Sequence, residues 1–413
     1  MENYFFDAHM HAMNLRHPNF VSLVDSIVDN LGEFVTSGIL SPGYLLTPAN
    51  RTQQGLITLM NMFSLFELSI EEIFALLNDD LAGKYHRRAI TVKGKTPANL
   101  VYPPQSYFRE GKFHFRDRVY DKYALIPLVM DFSRDLRGEE NLAYYTKERE
   151  NKIISYIDDT IRGIKQYKKS YKNGILEFFP FLGVNPTVHR LPFIEELFST
   201  YLKKSSLFKG VKFYPPLGTD VWPEEAAERE KVEYIYTFCV THNLPIITHC
   251  DDQGFRGVSP KLAQDYTAPS RWKPVLEHYP TLKVDFAHYG RQYNHSPLKA
   301  LLERPFTSDP WFSQIIELMG LYDNVYADFS FSGVEPSFYA DLHLYLENLE
   351  DRSLAQKIVE RSMFGSDFSV NLAKVESYPN YLRIFEESPF SDEEVHLFAS
   401  TNVVNFLGGN SAS

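Results

Sequence analysis

The feature that most constrains the fold of this chain is a series of short apolar runs rich in β-forming residues, each followed by a polar or turn residue. The eight runs are "YFFDAH" near the start, "YALIPLVMDF" (123–132), "ILEFFPFLGV" (175–184), "KGVKFYPP" (209–216), "LPIITHC" (244–250), "LKVDFAHYG" (282–290), "NVYADFSF" (324–331) and "SMFGSDF" (362–368). Between most of them lie stretches with helical spacing and charged faces, such as "ENKIISYIDDTIRGIKQYKKSY". Strands that alternate with helices predict right-handed crossovers and a parallel sheet, and their nearly continuous apolar character predicts burial on both faces.

Eight strand–helix units predict an α/β fold of the (β/α)8 TIM-barrel type, formed by a single domain over residues 1–413. An open, doubly wound sheet is the competing architecture. Such a sheet typically has a Gly-rich phosphate loop after its first strand, and the sequence has no such loop there. Strands two to eight begin roughly 35–50 residues apart, whereas about 120 residues separate the first strand from the second. The spacing therefore predicts a large insert between strands one and two, at about 15–120.

The insert is predicted to be mostly helical, with a basic second part. Its apolar stretches, such as "GLITLMNMFSLFELSIEEIFALLNDDL", have the pattern of amphipathic helices, and Ser69 is placed to cap one of them just before acidic residues. The basic residues beyond Leu81 are Lys84, Arg87, Arg88, Lys93, Lys95, Arg109, Lys112, Arg116, Arg118 and Lys122. This stretch is either a solvated loop or a lid that presents positive charge to an anionic substrate. The apolar helices predict a cap on the barrel mouth or a contact in a homodimer.

Composition excludes several classes of protein. The formal net charge is −11, which argues against a nucleic-acid partner, because binding phosphates needs a basic surface. No apolar run reaches the roughly 18 residues of a membrane span and no leader peptide is visible, so no membrane partner and a cytoplasmic location are expected. The only cysteines are Cys239 and Cys250, which rules out a disulfide framework and predicts a reducing compartment.

Most of the predicted strands end in a residue that can bind a metal or transfer a proton. These residues are His9, His11, Lys212, His249, His288 and Asp367. Catalytic groups of a parallel barrel gather at the carboxyl ends of its strands, and positions i and i+2 of an extended segment point to the same side. The two histidines of "HMH" can therefore clasp one ion, and an added carboxylate completes a typical site for zinc or a similar divalent cation. Each residue alone could equally be a core, turn or rim residue; the joint pattern carries the prediction.

The motifs "DAHMH", "GVKFYPPLG", "ITHC", "FAHYG" and "GSDF", in this order, resemble the amidohydrolase superfamily of metal-dependent (β/α)8 barrels. Within it the chain is most similar to the amidohydrolase-2 branch, which includes aminocarboxymuconate-semialdehyde decarboxylase, lactonases and hydratases. The resemblance covers roughly 1–14 and 120–408, and the ending "FASTNVVNFLG" looks like the family's closing helix. The insert is not accounted for by this resemblance.

Carried over by position, the resemblance implies that His9, His11, His249 and Asp367 hold the metal, with His288 beside it to polarise the substrate or transfer a proton. In two-metal members a carboxylated strand-four lysine helps to bind a second ion, so Lys212 could contact a second ion or the substrate. One ion is favoured over two. Zinc is the first choice, with manganese, iron and cobalt as alternatives.

The resemblance leaves the substrate pocket open. Tyr214 stands where relatives often have histidine, and "YGRQ" follows His288 where a second glycine is common. Tyr214, Arg256 and Arg291 are the candidate substrate-binding residues, since arginine can hold a carboxylate with two hydrogen bonds. The substrate is expected to be a small, anionic molecule.

Three functions remain open from the sequence. The first is a hydrolase in which Asp367 serves as base for a metal-activated water that attacks a C–N or C–O bond, with His288 assisting. The second is a non-oxidative decarboxylase or hydratase of a small, aromatic-derived carboxylic acid. The third is a catalytically silent barrel that binds a ligand or a partner through its insert.

Overall fold

A computed structural model describes residues 3–14, 65–84, 106–133, 151–203, 207–252, 254–292, 310–375 and 377–409. Most of the predicted insert, including the apolar stretches before residue 65 and the basic residues at 87–95, lies outside the described residues. The fold is α/β, and its main sheets are parallel. Among the described residues, no helix is both long enough and apolar enough to cross a membrane.

The parallel strands form a three-stranded and a six-stranded sheet. The smaller sheet has the order β1–β5–β6, with β1 at Tyr4–Met10, β5 at Lys122–Pro127 and β6 at Leu176–Phe178. The larger sheet has the order β12–β11–β10–β9–β8–β7, and its strands are β7 (Phe181–Gly183), β8 (Gly210–Phe213), β9 (Ile246–Thr248), β10 (Val284–Phe286), β11 (Val325–Asp328) and β12 (Ser362–Met363). Because Pro180 has no N–H to donate, the third predicted strand is divided into β6 and β7.

Backbone contacts join the two sheets at two places, one at the end of β1 and the other at the end of β5. Met10 of β1 forms a parallel bridge with Phe368, which follows β12, and Leu128 at the end of β5 forms one with Phe181 of β7. The amide of Ala8 also donates to the carbonyl of Phe364 at 2.9 Å. The carboxyl end of β1 is therefore fixed against the segment that follows the last parallel strand.

Helices follow most of the parallel strands, as the alternating pattern predicts. Those described are α1 (Ile70–Leu81), α2 (Asn151–Ser170), α3 (Leu191–Phe198), α4 (Ala226–Thr241), α5 (Pro260–Thr267), α6 (Lys273–His278), α7 (Pro310–Leu321), α8 (Pro336–Asn348), α9 (Arg352–Arg361), α10 (Tyr378–Glu386), α11 (Asp392–His396) and α12 (Asn402–Phe406). Residues Leu397–Thr401 continue α11 into α12 as a π-helix, so the stretch that resembled a closing helix is helical.

The two faces of the sheets contribute residues to two different hydrophobic clusters. On β1, Phe5 packs in the large cluster with the helices, whereas Tyr4, Phe6 and Ala8 belong to a smaller one. We call the strand face that carries this smaller cluster the inner face. Its members come from both sheets and from α12, and they are Tyr4, Phe6, Ala8, Ala124, Ile126, Leu128, Phe179, Phe181, Ile247, Ala287, Tyr326, Met363, Val403, Phe406 and Leu407. The inner face is thus mostly apolar below the carboxyl ends of the strands, with the buried charged residues Lys212, Asp285 and Asp328 as exceptions.

The described part of the insert is helical at α1 but forms a sheet nearer its end. The predicted cap is confirmed: the Ser69 side chain accepts from the Glu72 amide, and Glu72 reciprocates, which makes a capping box. The α1 helix packs on α2, where the absence of a side chain at Gly163 leaves room for Ile70. The end of the predicted insert is not helical, because residues 108–120 form an antiparallel sheet; that the insert is mostly helical stays a prediction. Its strands are β2 (Phe108–Arg109), β3 (Lys112–Phe115) and β4 (Arg118–Tyr120).

The basic residues of this antiparallel sheet make contacts within the fold. Arg116 donates to the backbone carbonyls of Glu386, Ser388 and Phe390, at 2.6–2.8 Å. Arg118 forms an ion pair with Glu393. These two arginines therefore hold the end of the predicted insert against the C-terminal helices. Both have partners within the fold, so neither has the role of an unpaired positive charge on a lid.

Candidate metal centre

Three predicted ligands meet beyond the carboxyl ends of β1 and β12. The Nε2 atoms of His9 and His11 are 3.3 Å apart, and Oδ1 of Asp367 lies 3.7 Å from the first and 3.3 Å from the second. All three residues are buried. The hydrogen bond from the Asp367 amide to the His9 carbonyl (2.7 Å) holds the end of β1 against the segment that follows β12. We call these three residues the first ligand group.

The other nitrogen of each ring fixes which atom faces the group. Nδ1 of His9 lies 2.7 Å from Oδ2 of Asp328, and Nδ1 of His11 lies 3.2 Å from the Leu128 carbonyl. Since a carboxylate and a carbonyl can only accept, both Nδ1 atoms carry the hydrogen. The Nε2 atoms of both rings therefore face the Asp367 carboxylate, and Nε2 is the nitrogen with which each ring could bind a cation. A carboxylate behind a ligating histidine is the usual support of a metal site.

Burial and nearby charges keep this group ready to bind a cation. Burial lowers the pKa of His9 to about 3, with a further contribution from the positive charge of Lys212, so the ring is neutral near pH 7. Burial alone would raise the pKa of Asp367, but the hydrogen bond and charge of His11, with the charges of His288 and His9, hold it below its usual range. Neutral imidazoles and an ionised carboxylate are the forms that bind a divalent ion.

His249 lies in a second ligand group, with Asp251 and His288. Nε2 of His249 is 3.0 Å from Oδ1 of Asp251, and Nδ1 of His249 is 3.2 Å from Nε2 of His288. His288 directs its Nδ1 to the Ser330 carbonyl at 2.9 Å, so its Nε2 also carries a lone pair. The rings of His9 and His288 are in contact, with centroids 5.0 Å apart. The structure thus places the two groups side by side; that His249 shares an ion with the first group stays a prediction.

Lys212 is buried on the inner face of β8, and its Nζ has no hydrogen-bond partner among the described residues. Burial lowers the pKa of Lys212 to about 8, although Asp328, Asp367 and two further aspartates nearby act in the opposite direction. An amine with this pKa is partly neutral at neutral pH. Its predicted contact with a second ion or with substrate stays a prediction.

The three predicted substrate-binding residues lie on loops beyond the strand ends. The Tyr214 ring packs against His249 in a tilted arrangement, with centroids 4.4 Å apart, and its hydroxyl accepts from the Phe255 amide at 2.9 Å. Among the described residues, the Arg256 guanidinium donates only to the Asp252 carbonyl, at 2.6 Å. Arg291 is held by Glu335 at 2.7 Å. Tyr214 is therefore adjacent to the second ligand group, whereas Arg291 has a carboxylate partner within the fold.

Sequence reasoning missed Asp328 and Asp251, which support the two groups. Asp328 lies in "NVYADFSF", which was interpreted only as a strand, and its partner His9 is 319 positions away in the chain. A polar residue at the end of an otherwise apolar strand was the available signal. Asp251 follows His249 at i+2 and could have been noticed by the same spacing argument as His9 and His11.

The two histidine-rich groups at the ends of parallel strands define a candidate metal-dependent enzyme of the α/β class. The family model described as amidohydrolase, of the amidohydrolase-2 type, matches residues 192–408, which is 217 of the 413 residues. The chain belongs to this amidohydrolase family. The predicted resemblance is thereby confirmed.

Several solved structures are similar to the chain at low sequence identity. One is 5-carboxyvanillate decarboxylase LigW from Sphingomonas paucimobilis, with 10% identity, 98% of each chain covered and a TM-score of 0.47. Another is 4-oxalomesaconate hydratase LigJ from Rhodopseudomonas palustris, with 12% identity, 98% of this chain and 95% of that chain covered, and a TM-score of 0.46. A third is a probable 2-pyrone-4,6-dicarboxylic acid hydrolase from Acinetobacter baumannii, with 14% identity, coverages of 70% and 84%, and a TM-score of 0.41. No curated protein matches the chain.

Proposed function

We propose that this protein is a metal-dependent hydrolase that cleaves a C–N or C–O bond of a small, anionic substrate. The proposal includes one divalent ion held by His9, His11 and Asp367, with His249 as the fourth ligand and zinc as the first choice of metal. Family membership supports the enzyme class, and the chemistry of the first ligand group supports the ion.

One observation carries the metal assignment. Two imidazole nitrogens and a carboxylate oxygen lie within 3.7 Å of one another. Nδ1 of His9 faces Asp328 and Nδ1 of His11 faces the Leu128 carbonyl, so Nε2 is the nitrogen of each ring that is left to bind an ion. Two such nitrogens with a carboxylate oxygen are a donor set that suits zinc, manganese, iron or cobalt.

Asp367 and His288 provide the proton transfer and hydrogen bonding next to the proposed ion. A divalent ion, when bound, would supply Lewis-acid chemistry and make water more acidic. Asp367, whose pKa is held below its usual range, is ionised at neutral pH and takes the proton of the attacking water before returning it to the leaving group. His288 is held by the Ser330 carbonyl through Nδ1 and offers Nε2 for hydrogen bonding or proton transfer beside the site.

Decarboxylation or hydration of a small carboxylic acid is the second candidate, and Arg256 favours it. Its guanidinium lies on the loop next to Tyr214 and is held, among the described residues, by a single carbonyl. The remaining N–H groups are suited to hold a substrate carboxylate with two hydrogen bonds. The same arrangement would also bind an anionic substrate of the hydrolase, so the carboxylate contact does not by itself select the reaction.

We also propose that the nine parallel strands, of which β6 and β7 together correspond to one predicted strand, close into a (β/α)8 barrel. The bridges Met10–Phe368 and Leu128–Phe181, together with the cluster shared by the inner faces of both sheets, support closure. A homodimer through the insert and a cytoplasmic location remain proposals based on the sequence.

The test starts with the metal. We expect the purified protein to contain one equivalent of a divalent ion, and a chelator to abolish activity that zinc or manganese then restores. Lactones, esters and amides with a carboxylate group are assayed for hydrolysis, and small aromatic acids are assayed for release of CO2. Hydrolysis supports the first candidate, and CO2 release supports the second.

Two variants complete the test. Asp367→Asn should lose metal and turnover together, because it removes both a ligand and the base. Asp323→Asn is the control, since it removes an exposed carboxylate that pairs only with Lys357 among the described residues, and it should behave as the parent. A protein that neither contains nor takes up a divalent ion would exclude both enzymatic candidates and leave the silent ligand-binding barrel.

A further inference from the structure

The β1 strand leaves its regular pairing just before the first metal ligand. From Asp7 to Met10, β1 advances by three residues, whereas its partner β5 advances by two, from Leu125 to Pro127. An extra residue on one strand, as in a β-bulge, re-aims the side chains near it. His9 lies within this irregular part of β1, so the hydrogen-bond ladder between β1 and β5 does not by itself fix where its ring points.

Asp367, the ligand on the segment after β12, has an unfavourable backbone conformation. Its φ is +58°, in the left-handed region that residues other than glycine rarely adopt. Such a conformation persists only where the surrounding structure holds it. The hydrogen bond from the Asp367 amide to the His9 carbonyl is one contact that does so. Both ligands therefore depend on contacts outside the regular ladders for their placement.

The Asp7 carboxyl group is hydrogen-bonded to both of these irregular segments. Its Oδ1 accepts from the His9 amide at 3.2 Å and from the Ser366 amide at 2.8 Å, and its Oδ2 accepts from the Ser366 hydroxyl at 2.5 Å. The Ser366 hydroxyl oxygen in turn accepts from the Phe368 amide at 2.9 Å, so the residues on both sides of Asp367 are linked to Asp7. All of these residues are buried, and a buried N–H is costly to leave without an acceptor.

A further contact of Asp7 belongs to the packing of α10. The Tyr378 hydroxyl donates to Oδ2 of Asp7 at 2.7 Å, and it also contacts the Tyr123 hydroxyl of β5. These bonds link α10 to β1 and β5 and would stabilise the fold even if the protein bound no metal. Removing the Tyr378 hydroxyl would leave every bond from Asp7 to His9 and Ser366 in place. The structural contribution of Asp7 can therefore be tested separately from its link to the ligands.

We propose that Asp7 is a positioning residue for the metal site: its carboxyl group holds the backbone of His9 and the segment around Asp367 in one arrangement, so that both ligands face the same point. The inference rests on the proposed metal-binding function. In this arrangement Nε2 of His9 lies 3.7 Å from Oδ1 of Asp367. Loss of the Asp7 carboxyl group keeps both ligands in the chain but loosens their placement relative to each other.

The experiment measures the affinity of the metal-free protein for Zn²⁺, by competition with a chromogenic chelator. Asp7→Ala removes the acceptor of both backbone amides, and we expect Zn²⁺ binding about tenfold weaker, the lower end of what loss of a supporting partner costs. Asp7→Asn keeps an acceptor oxygen for the two amides, and the hydroxyls of Ser366 and Tyr378 can turn to accept from its N–H groups. Its dissociation constant should therefore stay within about twofold of the parent.

Tyr378→Phe is the matched control, because it removes the donor from α10 and keeps the bonds from Asp7 to His9 and Ser366. It should be less stable than the parent in urea unfolding of the metal-free protein, yet bind Zn²⁺ within about twofold of the parent. Visible absorption with Co²⁺ in place of Zn²⁺ gives a second readout, since the bands depend on the geometry of the ligands. The bands should shift in Asp7→Ala and stay unchanged in Tyr378→Phe.

The proposal is overturned if Asp7→Ala binds Zn²⁺ as the parent does, if Asp7→Asn is as weak as Asp7→Ala, or if Tyr378→Phe weakens binding to the same degree. Ser366→Ala replaces Asp7→Ala if that variant does not fold, as judged by circular dichroism. It breaks the link from Asp7 to the Phe368 amide, and we expect Zn²⁺ binding about threefold weaker, so parent-like affinity would overturn the proposal. Failure of the parent itself to bind Zn²⁺ would instead overturn the proposed function.

Discussion

Asp328 at the end of β11 and Asp80 at the end of α1 are both buried aspartates, yet their environments act in opposite directions. Asp328 has donors on both oxygens and His9 next to it, and its pKa is held below the usual range despite burial. Asp80 has one oxygen without a partner among the described residues, and burial together with the charge of Asp79 raises its pKa to about 8. Burial thus favours the protonated carboxyl unless the fold supplies donors.

The two aspartates differ because Asp328 lies beside the candidate metal centre, whereas Asp80 lies in a helix that is packed against the fold. Donors around Asp328 come from β1, β10 and β11, so that carboxylate becomes ionised only because three strand ends converge. Asp80 lies in the last turn of α1, where the helix dipole is negative and no basic residue is present in that turn. An ionised Asp80 is therefore unfavourable for the stability of α1, whereas the ionised Asp328 is stabilised by the donors at the strand ends.

The largest effect that we expect from this comparison is a pH dependence of the free energy of unfolding, caused by Asp80. Its folded pKa of about 8 lies above the unfolded value of 3.8, so folding takes up a proton and the stabilising contribution is lost as pH rises from about 4 to 8. Between pH 5 and pH 8 the loss is on the order of 4 kcal/mol, at about 1.4 kcal/mol per unit. Asp80→Asn should remove this loss and be more stable than the parent at pH 8, as measured by urea unfolding at both pH values.

Asp79→Asn is the matched variant for Asp80. It removes the neighbouring charge that raises the pKa of Asp80, so the loss of stability with pH should become smaller without disappearing. An Asp80→Asn protein whose stability falls with pH as steeply as that of the parent would contradict the contrast between the two aspartates.

For Asp328 we expect an effect on the affinity for Zn²⁺ rather than a pH dependence of the free energy of unfolding. Asp328→Ala removes the acceptor of the His9 Nδ1–H, so the ring is no longer fixed with Nε2 towards His11 and Asp367. Loss of such a partner typically weakens metal binding about 10–100-fold, and the same range is expected here for Zn²⁺. Competition with a chelator measures it, and Asp80→Asn should leave Zn²⁺ affinity unchanged.

If both variants bound Zn²⁺ equally well, Asp328 would be a structural carboxylate like Asp80. The comparison would then reflect only the number of donors that each carboxylate receives. A weaker Asp328→Ala together with an unchanged control would instead link the donors to the metal site.

The sequence predicted the residues at strand ends well, because their chemistry and position can be recognised locally. His9 and His11 have the i, i+2 spacing of an extended segment, and Asp367 follows an apolar run. The pairing of His9 with Asp328 could not be predicted in the same way, since it depends on how strands far apart in sequence converge. The placement of His288 next to His249 depends on the same convergence, because the two residues are 39 positions apart.

The antiparallel sheet at the end of the insert was missed for a different reason. The segment "KFHF" alternates apolar and polar residues, and the glycine of "EGK" marks a tight turn, so a local hairpin signal existed. The structure buries Phe113 and Phe115 against Phe5 of β1, so the apolar residues of the hairpin, rather than its charges, decide where it lies.

The smallest expected effect concerns the other end of α1, where polar groups are satisfied. The Ser69 hydroxyl accepts from the Glu72 amide at 3.3 Å, and the Glu72 carboxylate accepts from the Ser69 amide at 2.7 Å, next to the positive end of the helix dipole. Ser69→Ala should cost about 1 kcal/mol of unfolding free energy, because one helix N–H loses its partner. Ser69→Asp keeps an acceptor and should recover most of that loss in urea unfolding at pH 7. Neither variant should change Zn²⁺ affinity, because α1 contributes no residue to either ligand group; a change in affinity would show that the inserted helix and the strand ends are energetically coupled.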